Sequence, residues 1–226
     1  SGLQDLTLIG CHEKAKQLGK STQYTASETA SAMEYMAMAG WKTEDMLNGI
    51  EGVMDLAAAS GEDLAGVSDI VTDAMTAFGL SADGTTKIIK DGFTKEVSNA
   101  SHFADVLAAA SANSNTNVAM LGESFKYAAP VAGSLGYSVE DTAIALGLMA
   151  SSGLKSSMAG SSLRTILTNL AKPTDDISDA MDYLGISLQN GDGSMKSLMD
   201  IVTDLRGAFG QCKMPMDQFQ ENSCKT

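Results

Sequence analysis

Apolar residues recur along this chain at helical spacing. Leu64, Val67, Val71, Ala74 and Phe78 step by 3, 4, 3 and 4 residues, which places them on one stripe of a helix. Met195, Leu198, Val202, Leu205 and Phe209 repeat those steps, and Met46, Ile50, Val53, Met54 and Ala57 mark a third amphipathic face. The pattern predicts an all-α fold, with helices near 3–18, 26–39, 44–59, 62–78, 100–112, 117–135, 139–152, 156–171 and 195–209. Shorter helical turns are expected near 84–91 and 175–184. The stretch 186–193 breaks the period: its Asn190-Gly191 and Asp192-Gly193 pairs are tight-turn signals, so a small hairpin or a long loop is expected there. It lacks the further carboxylates and closing glutamate of a calcium loop.

The helix ends carry repeated punctuation. Gly40-Trp41, Gly79-Leu80, Gly136-Tyr137, Gly153-Leu154 and Gly185-Ile186 each follow a helical run. A glycine just past a helix adopts the left-handed conformation without a Cβ penalty, and the apolar residue after it packs back on the last turn. New starts follow closely: Thr43 before Glu44-Asp45, Ser81 before Asp83, and Ser138 before Glu140-Asp141. Thr25 with Glu28, Ser60 with Asp63, and Ser138 with Asp141 fit or approximate capping boxes. Links this short turn consecutive helices back on each other, which predicts an array of short antiparallel helical hairpins with glycine C-caps.

Composition agrees. Alanine is abundant, there are 14 Met and 3 Pro, and aromatics make up only 5 %. An apolar fraction of 44 % excludes a disordered acidic tail. With 28 acidic against 15 basic residues the formal charge is −13, which argues against direct nucleic-acid binding and against docking on an anionic membrane face. No run of about 18 apolar residues exists to span a bilayer, and no signal-peptide pattern opens the chain. Cys11, Cys212 and Cys224 are odd in number and read as reduced thiols, with a Cys212–Cys224 bridge as the alternative.

Several segments echo one another. DIVTD occurs at 69–73 and 200–204, LAAAS at 56–60 and 107–111, and GWKTED at 40–45 parallels GYSVED at 136–141. The separations differ, so no solenoid period holds; reuse of one helix–glycine–cap grammar is the first explanation of them and an old duplication the alternative. Gly49, Gly52, Gly66, Gly122, Gly133, Gly147 and Gly160 fall inside predicted helices, where each costs roughly 0.5–1 kcal/mol relative to alanine. Either close helix–helix approach or selection for easy opening would offset that.

Candidate chemistry is thin. His12 and His102 have no partner at metal-ligand spacing, and Cys11 and His12 are adjacent, so a helix points them in different directions. No phosphate-cradling glycine loop is present. No catalytic residue, metal ligand or cofactor site is therefore nominated. The alternative is peptidoglycan cleavage. Glu123-Ser124 followed by Gly147-Leu148-Met149 faintly resembles the Glu-Ser and Gly-Leu-Met-Gln pattern of lytic transglycosylases, in which a helix-borne glutamate is general acid and base, but Ala150 stands where glutamine is expected. A second alternative is a helical protein-binding module. Met33, Met36, Met38, Met46 and Met54 suit either core filling or an adaptable surface. Trp41, Asn115 (in the polar run Asn113–Asn117) and Tyr137 are the expected partner contacts, as exposed aromatics and a tolerant loop.

The segments 25–47, 56–80 and 101–173 are long, ordered and collinear, and they closely resemble the core domain of the phage-related minor tail protein family, the tape-measure proteins of long-tailed phages. The resemblance covers roughly 15–210, with 82–99 as the stretch expected to vary most. It implies a virion protein acting in tail assembly and length determination, and in genome delivery. It further implies tail-tube subunits and assembly chaperones as partners, self-association, and residence in the virion tail after assembly in the bacterial cytoplasm. Family members are generally far longer, so the expected organisation is an N-terminal helix (1–20), a core helical domain (21–210) and a polar tail (211–226) cut from a longer protein.

Overall fold

The computed structural model describes residues 2–90, 93–191, 193 and 195–211, and these fall into two compact units, Ser1–Leu167 and Thr168–Thr226. The first holds α1 (Gly2–Ser21), α2 (Ala26–Met38), α3 (Thr43–Ser60), α4 (Leu64–Phe78), a β1–β2 hairpin (Thr85–Lys90 and Phe93–Ser98), α5 (Asn99–Ala112), α6 (Val118–Ser134) and α7 (Val139–Ser151). Helix α8 (Ser156–Ala171) crosses the boundary. The second unit holds α9 (Asp175–Tyr183) and α10 (Leu198–Gln211). The expected polar tail and its two cysteines lie outside the described residues.

The five glycine stops are Schellman caps. Gly40, Gly79, Gly136, Gly153 and Gly185 have φ between +66° and +95°. In each, the following residue donates its N–H five residues back: Trp41 to Met36, Leu80 to Met75, Tyr137 to Ala132, Leu154 to Met149 and Ile186 to Met181. The segments 40–45 and 136–141 therefore share one geometry, a glycine stop followed by an aromatic and an aspartate at the third helical position. Asp45 accepts from the Lys42 N–H at 3.2 Å, and the Asp141 N–H donates to the Ser138 hydroxyl at 3.0 Å. Thr25 and Glu28 form the expected capping box. Ser60 and Asp63 do not. Ser60 bonds back into α3, and Asp63 itself caps α4 by accepting from the Gly66 N–H at 2.9 Å.

The core follows the stripes read from the sequence. Every member of the α4 stripe and of the Met46–Ala57 face is buried. Four of the five methionines named above are buried, and Met38 is exposed. In α10 the register differs: Leu198 and Ile201 are buried while Val202 faces solvent. The most extensive helix interfaces join alternate helices, α3 on α5, α4 on α6 and α2 on α4, rather than sequence neighbours. Phe125 of α6 sits between two rings, 5.4 Å from Phe103 of α5 and 6.3 Å from Phe78 of α4.

Close approach accounts for most interior glycines. A Cβ on Gly160 of α8 would lie 2.2 Å from the Ser124 carbonyl oxygen of α6, and one on Gly133 would lie 2.5 Å from the Phe78 carbonyl oxygen. A Cβ on Gly52 would meet the Ser101 backbone at 2.7 Å, and one on Gly122 would meet Ile70 at 2.5 Å. At Gly160, Gly133 and Gly52 only glycine lets the backbones touch, while at Gly122 it makes room for the Ile70 side chain. Gly66 is different, with Asp63 Oδ2 at 3.6 Å as its one neighbour.

The helical turn expected near 84–91 is instead a strand. Thr85–Lys90 pairs antiparallel with Phe93–Ser98, from Thr85 opposite Ser98 to Lys90 opposite Phe93. Both strands are rich in threonine, isoleucine, valine and phenylalanine, which suit a pleated surface, and the Asp-Gly pair at 91–92 is a turn signal in the sequence. Asn99, at the start of α5, ties down the base of the hairpin. Its amide accepts from the Thr86 hydroxyl at 2.8 Å and donates to the Ser81 carbonyl at 2.9 Å. At 186–193 the hairpin signal yields a single bridge, Gln189 with Met195, supported by the Lys196 N–H donating to the Leu188 carbonyl.

Candidate functional site

The expected contact residues separate into two kinds. Trp41 and Tyr137 are core, only 8 % and 5 % exposed. The exposure expected of them is corrected by the caps themselves: each is the apolar residue after a glycine stop, folded back on the turn it terminates. Trp41 packs so closely on α3 that a Cβ on Gly49 would sit 3.0 Å from its ring. Burial raises the Tyr137 phenol above its ordinary range, with nearby Asp141 adding to the effect. Asn115 is exposed, its N–H 3.5 Å from the Ser151 hydroxyl. Around it Asn117 caps α6 by accepting from the Met120 N–H at 2.8 Å, and Asn113 donates to the Ala109 carbonyl.

The acids do structural work. Glu28 accepts from both the Thr25 N–H and its hydroxyl, each at 2.7 Å, and those bonds hold its carboxyl below the usual range. Asp83 is lowered in the same way, chiefly by the Ser81 hydroxyl in the turn that leads into β1. Glu140 opens α7 with its carboxylate 2.6 Å from His102 Nε2. Lys14 pairs with Glu51, and Lys196 with Asp204 at 2.7 Å.

The transglycosylase-like residues are not assembled around a cleft. Glu123 is half-buried on α6, and neighbouring Ser124 is spent on the Met120 and Ser156 carbonyls at 2.9 and 2.8 Å. Gly147 and Leu148 line a different place, a trough between α5 and α7 that does not include Glu123. Cys11 and His12 do share a hollow, with Met33, Glu34 and Met46, contrary to the divergence expected of adjacent helical residues; the hollow is broad enough to take both positions. Burial pushes the Cys11 thiol up, against the weaker pull of the Thr43 hydroxyl, which is the reverse of what a nucleophilic thiolate needs. Among the described residues no group of three His, Cys, Asp or Glu is placed to hold a metal ion, and no helix is long and apolar enough to cross a membrane.

The trough is an apolar concavity on the first unit. Its volume is about 360 Å³ and its floor and walls are Val106, Ala109, Ala110, Ala143, Ile144 and Leu148. Helices α5 and α7 flank it in parallel, joined by His102–Glu140 at one end and by Asn115–Ser151 at the other. Ile144 and Leu148 are half exposed on its rim. Periodicity marked these positions as helical. The trough was not visible because α7 is apolar nearly all round and its partner face depends on tertiary packing.

Comparison with known proteins bears on the whole chain. Residues 12–222 match the family described as phage-related minor tail protein. The tape measure protein of Pneumococcus phage Dp-1 is 38 % identical over 195 residues, covering 86 % of this chain and 16 % of that protein. The probable tape measure protein of Escherichia phage P2 is 25 % identical over 214 residues, covering 95 % of this chain and 24 % of that one. No solved structure matches. The chain thus spans between about a sixth and a quarter of the length of these relatives, and the collinear match over 12–222 makes it a member of the phage-related minor tail protein family.

Proposed function

We propose that this chain is a structural, non-enzymatic domain of a tail tape-measure protein, acting in tail assembly and length determination. The observation that carries the reading is the 38 % identity to a tape measure protein over 86 % of the chain. The site geometry supports it. The acids whose bonds are described above cap helices, brace the turn before β1 or pair with lysines or His102, and most of the interior glycines serve helix contact. In this reading the domain works by what it packs against: tail-tube subunits and assembly chaperones, with Asn115 among the contacts. It resides in the virion tail after assembly in the bacterial cytoplasm.

Excising the stretch in frame from the phage genome tests the proposal. Electron microscopy should show filled heads with tails that are missing or altered in length. Tails of normal length and full infectivity would overturn the tail role.

A further inference from the structure

The three echoes in the sequence have unequal separations, and the order of elements in the first unit accounts for them. Helices α2, α4, α6 and α8 begin at residues 26, 64, 118 and 156, so successive starts lie 38, 54 and 38 residues apart. Helices α3, α5 and α7 begin at 43, 99 and 139, which gives 56 and 40. The two long spacings are those that contain β1 and β2, and each exceeds the other spacings of its row by 16 residues. Every echo also straddles the hairpin. Less 16 residues, the separations of 51 for LAAAS, 96 for GWKTED with GYSVED and 131 for DIVTD become 35, 80 and 115, near one, two and three lengths of a 38-residue repeat.

The contacts keep the same phase. Ser68 of α4 donates to the Ala32 carbonyl of α2 at 2.8 Å. Helices α3 and α5 run parallel: Gly52 lies against the Ser101 backbone, and Leu56, Ala59 and Ser60 share a hollow with Ala108, Ser111 and Ala112, so the two LAAAS copies lie side by side. Helices α4 and α6 run parallel too, with Ile70 at Gly122, Asp73 3.6 Å from Lys126, and Phe78 at Gly133. Each helix thus packs on the one a repeat later, as in stacked helical pairs where a repeat meets only its neighbours. The links agree. A glycine stop, an aromatic and an N-cap position (Gly40-Trp41-Lys42 and Gly136-Tyr137-Ser138) lead straight into α3 and α7. Between α4 and α5 the same link begins at Gly79-Leu80, but its N-cap is Ser98, beyond the hairpin.

We infer that the first unit is a stack of duplicated helical pairs with a repeat of about 38 residues, and that the β1–β2 hairpin is a module inserted into one link of the stack, which stands without it. The hairpin holds nothing of the core: none of the side chains described in its two strands is buried. The chain enters and leaves it at one point, where the Asn99 N–H donates to the Gly84 carbonyl at 3.0 Å. The insertion is what hides the repeat from the sequence. It also makes the hairpin the place where this chain can change its surface without touching a core residue. The inference rests on spacing and packing within the chain and not on the tail role, so either can fail alone.

Two deletions in the 226-residue chain provide the test. The first removes Ser81–Val97 and joins Leu80 directly to Ser98, which recreates in the middle of the stack the link that Gly136-Tyr137-Ser138 forms before α7. The second removes only Thr85–Val97 and bridges Gly84 to Ser98 with one glycine, leaving the turn at 81–84 in place. The first should keep the parent's helical circular dichroism per molecule and melt in one cooperative transition within about 5 °C of it. Its amides in α3, α4, α5 and α6 should stay as protected from hydrogen exchange as the parent's. Loss of cooperative melting in both variants would overturn the inference, because the core would then need the hairpin. A second variant that folds beside a first that does not would overturn it as well: the hairpin would be peripheral, but not inserted into a repeated link. The third contrary result is a first variant that melts cooperatively but loses protection in α4 and α6.

Discussion

Substituting Gly160 by alanine would probe the contact between α6 and α8. The new methyl carbon would arrive 2.2 Å from the Ser124 carbonyl oxygen and 2.9 Å from the Ser124 carbonyl carbon. Both are backbone atoms within a helix, so no side chain can swing aside, and α8 must move away by about an ångström. Overpacking of this kind costs about 1–3 kcal/mol. The movement also parts Ser124 Oγ from the Ser156 carbonyl, 2.8 Å away at the start of α8, for about 1 kcal/mol more. Against this, alanine in place of a helical glycine returns about 0.5–1 kcal/mol. The net expectation is a loss of about 2 kcal/mol, which lowers the melting temperature by about 4–8 °C for a unit of this size. Gly66→Ala is the internal control, with room for its methyl beside Asp63, and should leave stability unchanged or raise it by up to about 1 kcal/mol. Urea titrations and thermal melts followed by far-ultraviolet circular dichroism would compare the two. If Gly160→Ala is as stable as the parent, the helices do not touch through their backbones at this position, and the packing account of the interior glycines fails.

Phe125→Ala should cost about 3–5 kcal/mol, since its fully buried ring joins Phe103 and Phe78 across three helices; a denaturation midpoint within error of the parent would contradict that. Asn99→Ala removes both side-chain bonds at the foot of the hairpin, costing about 1–3 kcal/mol locally, so hydrogen exchange should accelerate over 85–98 and not in α4 or α6. Glu28 is held below the ordinary glutamate range when folded, so its stabilising contribution is present above the unfolded pKa, about 4.3. That contribution disappears as pH falls through the lower folded value. An NMR titration should place the Glu28 midpoint below that of a free glutamate and move it upward in Thr25→Ala; identical midpoints in the two proteins would exclude the capping-box origin.

Much of the helical architecture was legible because local signals agreed. The Leu64–Phe78 stripe, the Thr25–Glu28 box and the five glycine stops each encode their geometry within a few residues, and each is present. The two misreadings near the candidate contacts have specific causes. Trp41 and Tyr137 looked like surface aromatics when taken as residue types, yet their place after a glycine stop already implied burial. The β1–β2 hairpin is hard to read in the sequence because Lys87, Lys90, Asp91 and Gly92 interrupt its apolar run, although Thr85, Thr86, Ile88, Ile89 and Val97 favour a strand. What no local pattern encodes is which helix meets which. The preference for alternate neighbours, and with it the α5/α7 trough, arises from contacts such as Gly52 on Ser101 that join residues far apart in sequence.

The tail role is tested most directly in the particle itself. Quantitative mass spectrometry of purified tails, freed of heads, should find peptides from residues 12–222 in a fixed, low ratio to the tube subunit. Tails of full length that contain none of these peptides would contradict the account.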